Sequence, residues 1–196
     1  MQIVHDLKNQ LNGLKLYATF LRRRIEKSER PGDEQETILK LIGGLDRAAE
    51  DLSTIVRYGQ PVELKKQPGV EVDKLLRTVC ASFTEPGKEI VYRDSAVAPG
   101  NFDHFKLTDA FKWLCIGAIK HRQTENGAGE INVSAGSDSG RAILEWSGLR
   151  QLDHDPFRSF AGSDEIKLAL AAKIIEAHGG SAKFTDKKFV VVLPLQ

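Results

Sequence analysis

The sequence predicts an α+β chain in two parts. An antiparallel helical hairpin occupies residues 1–60, and an α/β sandwich occupies residues 61–196. Two observations carry that prediction. Apolar residues recur at helical spacing through the first sixty positions, and from Val62 onward short alternating runs are interleaved with apolar helical ones. Size and composition bound it: 196 residues, 41% hydrophobic and 28% charged, suit a helical module joined to a modest α/β module and exclude a disordered or collagen-like chain.

In the first helix Val4, Leu7, Leu11, Leu14, Ala18, Leu21 and Ile25 follow alternating steps of three and four, a heptad seam. Leu16, Tyr17 and Phe20 widen the apolar face beyond a two-stranded seam. Arg22, Arg23, Arg24 and Lys27 place positive charge where the helix dipole favours it. Ser28 to Asp33, with Pro31-Gly32, reads as a turn. The second helix is expected over Glu34 to Tyr58, with Gly59 and Pro61 ending it. One hairpin has too little core, so two hairpins from two chains are expected to form a four-helix bundle. The alternative is a hairpin packed on its own C-terminal domain.

Beyond Gly59 the elements shorten. Strands are expected over Val62–Lys65, Ile90–Tyr92, Glu130–Ala135 and Ala142–Trp146, and a closing hairpin over Ala182–Thr185 and Phe189–Leu193. Helices are expected over Val70–Phe83, Phe105–His121 and Ser163–His178, the last ended by Gly179-Gly180. Strands joined by hairpins and mixed with helices argue for a layered sandwich rather than a doubly wound parallel sheet.

The charge balance, Lys+Arg 28 against Asp+Glu 27, gives a net charge of +1 and no basic field for nucleic acid. No apolar run is long enough to span a bilayer. Met1-Gln2-Ile3-Val4 lacks the charged start and apolar stretch of a secretory leader, so a cytoplasmic location is expected. Cys80 and Cys115 read as buried free thiols in a reducing compartment. His104, His121, His154 and His178 show no metal-ligand spacing and are expected to be structural or surface residues.

The most informative stretch is His5-Asp6-Leu7-Lys8-Asn9-Gln10-Leu11. His5 falls at the edge of the seam, with Asp6 beside it and Asn9 one turn on. A carboxylate can keep one imidazole nitrogen protonated and leave the other lone pair nucleophilic. The motif resembles the phosphoacceptor box of bacterial sensor histidine kinases, which lies in the first helix of a two-helix dimerisation domain. The resemblance covers the whole chain. Leu107–His121 is similar to the family's asparagine-bearing ATP-site helix, Leu144–Leu149 to its first glycine box, and Ser163–Gly180 to its last box, ending Ile174-Ile175-Glu176-Ala177-His178-Gly179-Gly180. It implies a sandwich of the histidine kinase/GHKL ATPase type over residues 61–196. It also implies that His5 carries the phosphoryl group, Asp6 acts as base or orienter, and Asn9 positions water or the phosphoryl group.

The chain departs from that pattern at several positions. Gln10 stands where the family has proline, so the helix is expected to continue past His5 without a kink. The family's phosphate- and Mg²⁺-holding asparagines fall at Trp113 and Gly117. Its adenine-reading aspartate falls at Trp146, or one place off at Glu145, and Leu149-Arg150-Gln151 lacks its second glycine. Its phosphate-loop glycines fall at Ser163, Glu165 and Lys167. Ser163 is expected to cap the last helix, with Asp164 and Glu165 occupying the anion position, which Lys167 partly offsets. Asp153–Gly162 leaves little room for a long ATP lid.

From these features the expected function is histidine phosphotransfer in a phosphorelay, as in dimeric histidine phosphotransferases. His5 exchanges a phosphoryl group with receiver-domain aspartates of response regulators, in a homodimer that uses no ATP. Mg²⁺ is expected on the partner receiver rather than on this chain, and neither nucleic acid nor membrane is an expected partner. Two alternatives stand beside it: an active sensor kinase core with a divergent ATP site, and a non-catalytic pseudokinase binding module. His5 lies near the first residue, where helix ends fray; either the dimer tethers that end or further sequence precedes it.

Overall fold

The computed structural model describes residues 2–26, 32–83, 90–93, 96–123, 129–160 and 162–195; for residues 2–10, 24 and 32–35 it describes the backbone alone. The chain divides into two compact units, Met1–Gln60 and Pro61–Gln196.

The first unit is two long helices, α1 (Gln2–Glu26) and α2 (Gly32–Gly59), packed on each other. Of the turn expected over residues 28–33, only Gly32 and Asp33 are described, and both are already helical. Lys15 and Asp46 form an ion pair between the helices. Among the described side chains of α1, Ala18 is the buried apolar one, 4% exposed, while Leu14 and Leu21 of the seam stay half exposed. Leu16, Tyr17 and Phe20 are more exposed still, and Leu39, Leu41 and Ile55 add apolar surface on α2.

The second unit is built on a mixed sheet. Its strands are β2 (Ile90–Arg93), β4 (Ile131–Asp138), β5 (Arg141–Ser147), β6 (Ser181–Thr185) and β7 (Lys188–Pro194), in the order β2-β4-β5-β7-β6. β2 pairs with β4 in parallel, and every other pair is antiparallel. β1 (Gln67–Val70) and β3 (Gly100–Phe102) form a separate antiparallel pair. Three helices complete the unit: α3 (Val72–Ala81), α4 (His104–Lys120) and α5 (Ser163–Ala177).

The side-chain period of two decides which face carries the core. Ile131, Val133 and Ala135 on β4, Ala142, Leu144 and Trp146 on β5, and Phe189, Val191 and Leu193 on β7 are all buried. Register places Val133, Trp146 and Phe189 side by side across three strands. Trp146 then meets α4: its indole N–H donates to Cys115 Sγ at 3.4 Å and its ring lies 6.1 Å from that of Phe111. Cys80 on α3 and Cys115 on α4 are free and buried, as expected. A hydrogen bond with Cys80, together with burial, pushes the Cys115 thiol well above its ordinary value. A thiol kept protonated is a packing group rather than a nucleophile.

Two expectations need correction. Val62–Lys65 is not a strand: pairing begins at Gln67, and the Lys65 N–H donates at 2.8 Å to Asp103 Oδ2 instead of to a neighbouring strand. The strands expected over Glu130–Ala135 and Ala142–Trp146 reach closer to each other than those bounds. Both strands run on to Asp138 and Arg141, and Ser139 (φ 49°) and Gly140 (φ 75°) close a two-residue hairpin of the kind that suits strand twist.

Replacing Trp146 by Ala removes the largest wholly buried side chain of the sandwich. It should lower unfolding free energy by about 3–5 kcal/mol, read as a fall in urea midpoint, with Trp146→Phe costing less.

Candidate functional site

His5, Asp6 and Asn9 all lie on the helical backbone of α1, which is continuous through Gln10. Four residues apart, His5 and Asn9 share a helix face, and Asp6 is one step of about 100° around it. Their side chains lie outside the described residues.

The residues aligned with nucleotide chemistry fall in the second unit, mostly along the contact between α4 and α5. Gly117 of α4 is the centre of that contact. A Cβ built there would meet Leu168 Cδ2 at 2.7 Å and Cδ1 at 2.8 Å. Leu168 is wholly buried. The space a side chain at residue 117 would enter is therefore filled by α5. Trp146, wholly buried against α4, holds the next position. Strand alternation puts residues 145 and 146 on opposite faces of β5. Trp146 faces the helices, while the neighbouring Glu145 pairs with Lys188 at 3.1 Å. Gly148 keeps its role for a backbone reason: φ is +90° and a Cβ would meet the Glu130 carbonyl oxygen at 2.2 Å.

The start of α5 carries its own carboxylates. The N-cap is Gly162, not Ser163; the N-cap makes no side-chain hydrogen bond, and Ser163 is the first helical residue. Asp164 and Glu165 lie in the first turn, where the dipole favours negative charge. Asp164 reaches Lys120 Nζ at 3.5 Å. Glu165 is buried, takes a short hydrogen bond from the Ser159 hydroxyl, and lies 3.4 Å from His154 Nε2. The Ser159 hydrogen bond holds the Glu165 carboxyl below its ordinary value, against the opposing effect of burial, and His154 and Lys120 add to the lowering. His154 thus meets Glu165 rather than standing alone in a solvated loop. The preceding loop packs down: Leu152 and Phe157 are buried, and the Phe157 ring meets Phe189 edge-on at 5.2 Å.

His178, in the run before Gly179-Gly180, is structural. Its Nδ1–H donates to the Ile174 carbonyl at 2.8 Å, which leaves Nε2 to accept the Asp103 N–H at 3.0 Å. Asp103 in turn caps α4 by accepting from the Lys106 N–H at 3.0 Å. Burial pushes the Asp103 carboxyl up, but the Lys65 and Lys106 N–H groups outweigh it and hold it below its ordinary value. Among the described residues, no three His, Cys, Asp or Glu side chains gather as a metal site, and no helix is long and apolar enough to cross a membrane.

Comparison with known proteins follows this geometry. No protein-family model matches the chain. Nitrogen regulation protein NtrY of Azorhizobium caulinodans is 24% identical over 207 residues, which cover 94% of this chain and 26% of that protein. The chain therefore spans about a quarter of that relative's length. Full-length ShkA, solved in complex with AMPPNP, superposes with a TM-score of 0.72 at 20% identity, covering 98% of this chain and 44% of ShkA. The histidine kinase AdeS of Acinetobacter baumannii gives 0.65 at 20% identity, over 98% of both chains. The fold is that of a histidine kinase core. The histidine kinase ThkA, in complex with the response regulator TrrA, matches with a TM-score of 0.66 at 18% identity over 100% of this chain and 61% of that one. The histidine kinase-core fold accounts for both units.

His121, just past α4, is 2% exposed, and among the described residues neither ring nitrogen has a hydrogen-bond partner. Burial, then the charges of Lys120 and Arg150, push its imidazole below the ordinary value, with Glu165 pulling the other way. The unfolded chain therefore takes up a proton near pH 6.5 that the folded chain refuses. Stability from this group is full above that pH and is lost as pH falls toward the lowered folded value. His121→Phe should flatten the fall in Tm between neutral and mildly acid pH. His178, shifted in the same direction, is present in both proteins, so their difference isolates residue 121. An unchanged slope would refute this account.

Proposed function

We propose that the chain is a histidine phosphotransfer protein of a two-component phosphorelay, exchanging a phosphoryl group between His5 and receiver-domain aspartates of response regulators without using ATP. The observation that supports it most is the filled contact between α4 and α5. Leu168 occupies the space beside Gly117, and Glu165 supplies a negative charge at the helix end where phosphate would otherwise bind. A triphosphate beside that carboxylate meets like-charge repulsion of about a few kcal/mol even when screened.

In the proposed step a lone pair on one His5 ring nitrogen attacks the phosphorus of a receiver's aspartyl phosphate. The N–P bond forms as the P–O bond to aspartate breaks, and the aspartate leaves as carboxylate. Asp6 holds the proton on the other ring nitrogen, and Asn9, one turn along, orients the transferring group. Mg²⁺ belongs to the receiver's acidic pocket. The ThkA complex with TrrA is the precedent for a response-regulator partner on this fold.

A second reading, the active kinase core, is favoured by ShkA, whose matching fold is seen with AMPPNP. The two readings separate in paired incubations: the full chain with γ-labelled ATP and Mg²⁺, and the full chain with a pre-phosphorylated receiver. Label should pass only from the receiver and be abolished by His5→Ala. Label from ATP makes the kinase core the correct reading, and label from neither source leaves a binding module.

The same proposal includes a homodimer through the hairpin. Tyr17 and Phe20, 71% and 64% exposed in the single chain, would be covered by a second hairpin. Light scattering should show a dimer for the native chain and a folded monomer for the Tyr17→Glu, Phe20→Glu double variant. A variant that stays dimeric excludes this interface.

A further inference from the structure

We infer that the cavity beside the end of β7 is a binding site for a small amino-carboxylate, a molecule that carries a carboxylate and an ammonium group as a free amino acid does. The turn between β4 and β5 (139–141), the turn from α5 into β6 (179–181) and the end of β7 enclose it, with a volume of about 430 Å³.

Strand register creates this cavity. Arg141 stands opposite Pro194, and Ser181 stands opposite Val192. Arg141, Val192 and Pro194 alternate with the buried Ala142, Val191 and Leu193, so all four lie on the sheet face turned away from the core. Pairing between β6 and β7 stops at Val192, and the place beside Pro194 that a longer β6 would fill is open. Gly179 and Gly180 bound that gap. Residue 179 has a φ of +83°, and a Cβ on residue 180 would meet the Val192 carbonyl oxygen at 2.3 Å.

Three polar groups at the gap are unspent. Asp138 stands directly across from Arg141, yet it accepts the Ser139 hydroxyl at 3.0 Å, and among the described residues no acid pairs with Arg141. The Ser181 hydroxyl also has no partner among the described residues. The third group is the Pro194 carbonyl. The Leu195 N–H donates toward β5, to the Gly140 carbonyl at 2.9 Å, so by alternation the Pro194 carbonyl faces the gap. Proline has no N–H to strand there. The N–H groups of Gly179 and Gly180 donate back into α5, to the Glu176 and Ile175 carbonyls at 2.9 and 3.0 Å, and so do not serve Pro194.

A cation, a hydroxyl and a carbonyl around one gap call for a ligand with both an anionic acceptor and an N–H donor. The guanidinium matches a carboxylate, the carbonyl takes an ammonium, and Val192 and Leu195 offer an apolar wall to a small side chain. Asp138, close by on β4, disfavours a bare anion and is tolerant of a zwitterion. A purely structural account explains the glycines, which end α5 and admit the Val192 carbonyl, but not an arginine left without its facing aspartate. The site lies at the opposite end of α5 from Glu165 and does not rest on the phosphotransfer reading.

The test is an amide-resolved NMR titration of the full chain with L-alanine, beside propionate and ethylamine, which each lack one of its two charges. Saturable shifts confined to residues 139–141, 179–181 and 192–195 are expected with alanine, and weaker binding with either comparison compound. Arg141→Gln should weaken alanine binding about tenfold, as for one charge-assisted pair, and Arg141→Lys should recover part of the loss. An unchanged Tm shows that each variant is folded. Absence of saturable shifts, shifts indifferent to Arg141→Gln, or propionate binding as tightly as alanine would each overturn the site. None of these outcomes alters the transfer of label to His5.

Discussion

The structure of the second unit turns on one contact, the side chain of Leu168 seated where residue 117 has none. Protein interiors are packed too tightly for a second group to share that volume. Once α5 approaches α4 this closely, other features follow. Trp146 can lie wholly buried against α4, its indole held by Cys115, because that side of the interior is sealed from water. Glu165 comes within reach of Ser159 and His154, so the loop before α5 is tied to the helix it precedes. Hydrophobic packing and an ionised carboxylate thus act together where α5 begins and meets α4.

Other motif residues persist for reasons of backbone geometry. Gly148 is required by a positive φ and by the approach of the Glu130 carbonyl. His178 joins the end of α5 to the residue that caps α4, and through Asp103 to the segment entering the unit at Lys65. These residues are needed to build the sandwich whether or not a ligand binds. A motif match at such positions therefore reports fold rather than ligand binding.

Much of this architecture was legible in the amino-acid order. The long helices, the apolar helix around Phe111 and Leu114, and the closing hairpin all carry strong periodicity or clear stop signals. β3 was not legible, because three residues show no period, and Val62–Lys65 misled because its backbone donor is taken by a side chain 38 residues away. His5, Asp6 and Asn9 stood out as a local motif. The Glu165 cluster did not, since Ser159 and His154 come from an irregular loop and only the fold brings them to the helix. The cap assignment failed by one residue, with Gly162 in place of Ser163, which is the usual scale of error at a helix end.

The filled contact also limits which substitutions this interior accepts. Placing an asparagine at residue 117 would collide with Leu168, and shrinking Leu168 alone would open a void beneath an intact glycine. An aspartate at residue 146 would sit uncompensated in a dry interior until water could reach it. Each of these changes is harmful on its own, so single substitutions made one at a time cannot open this interior.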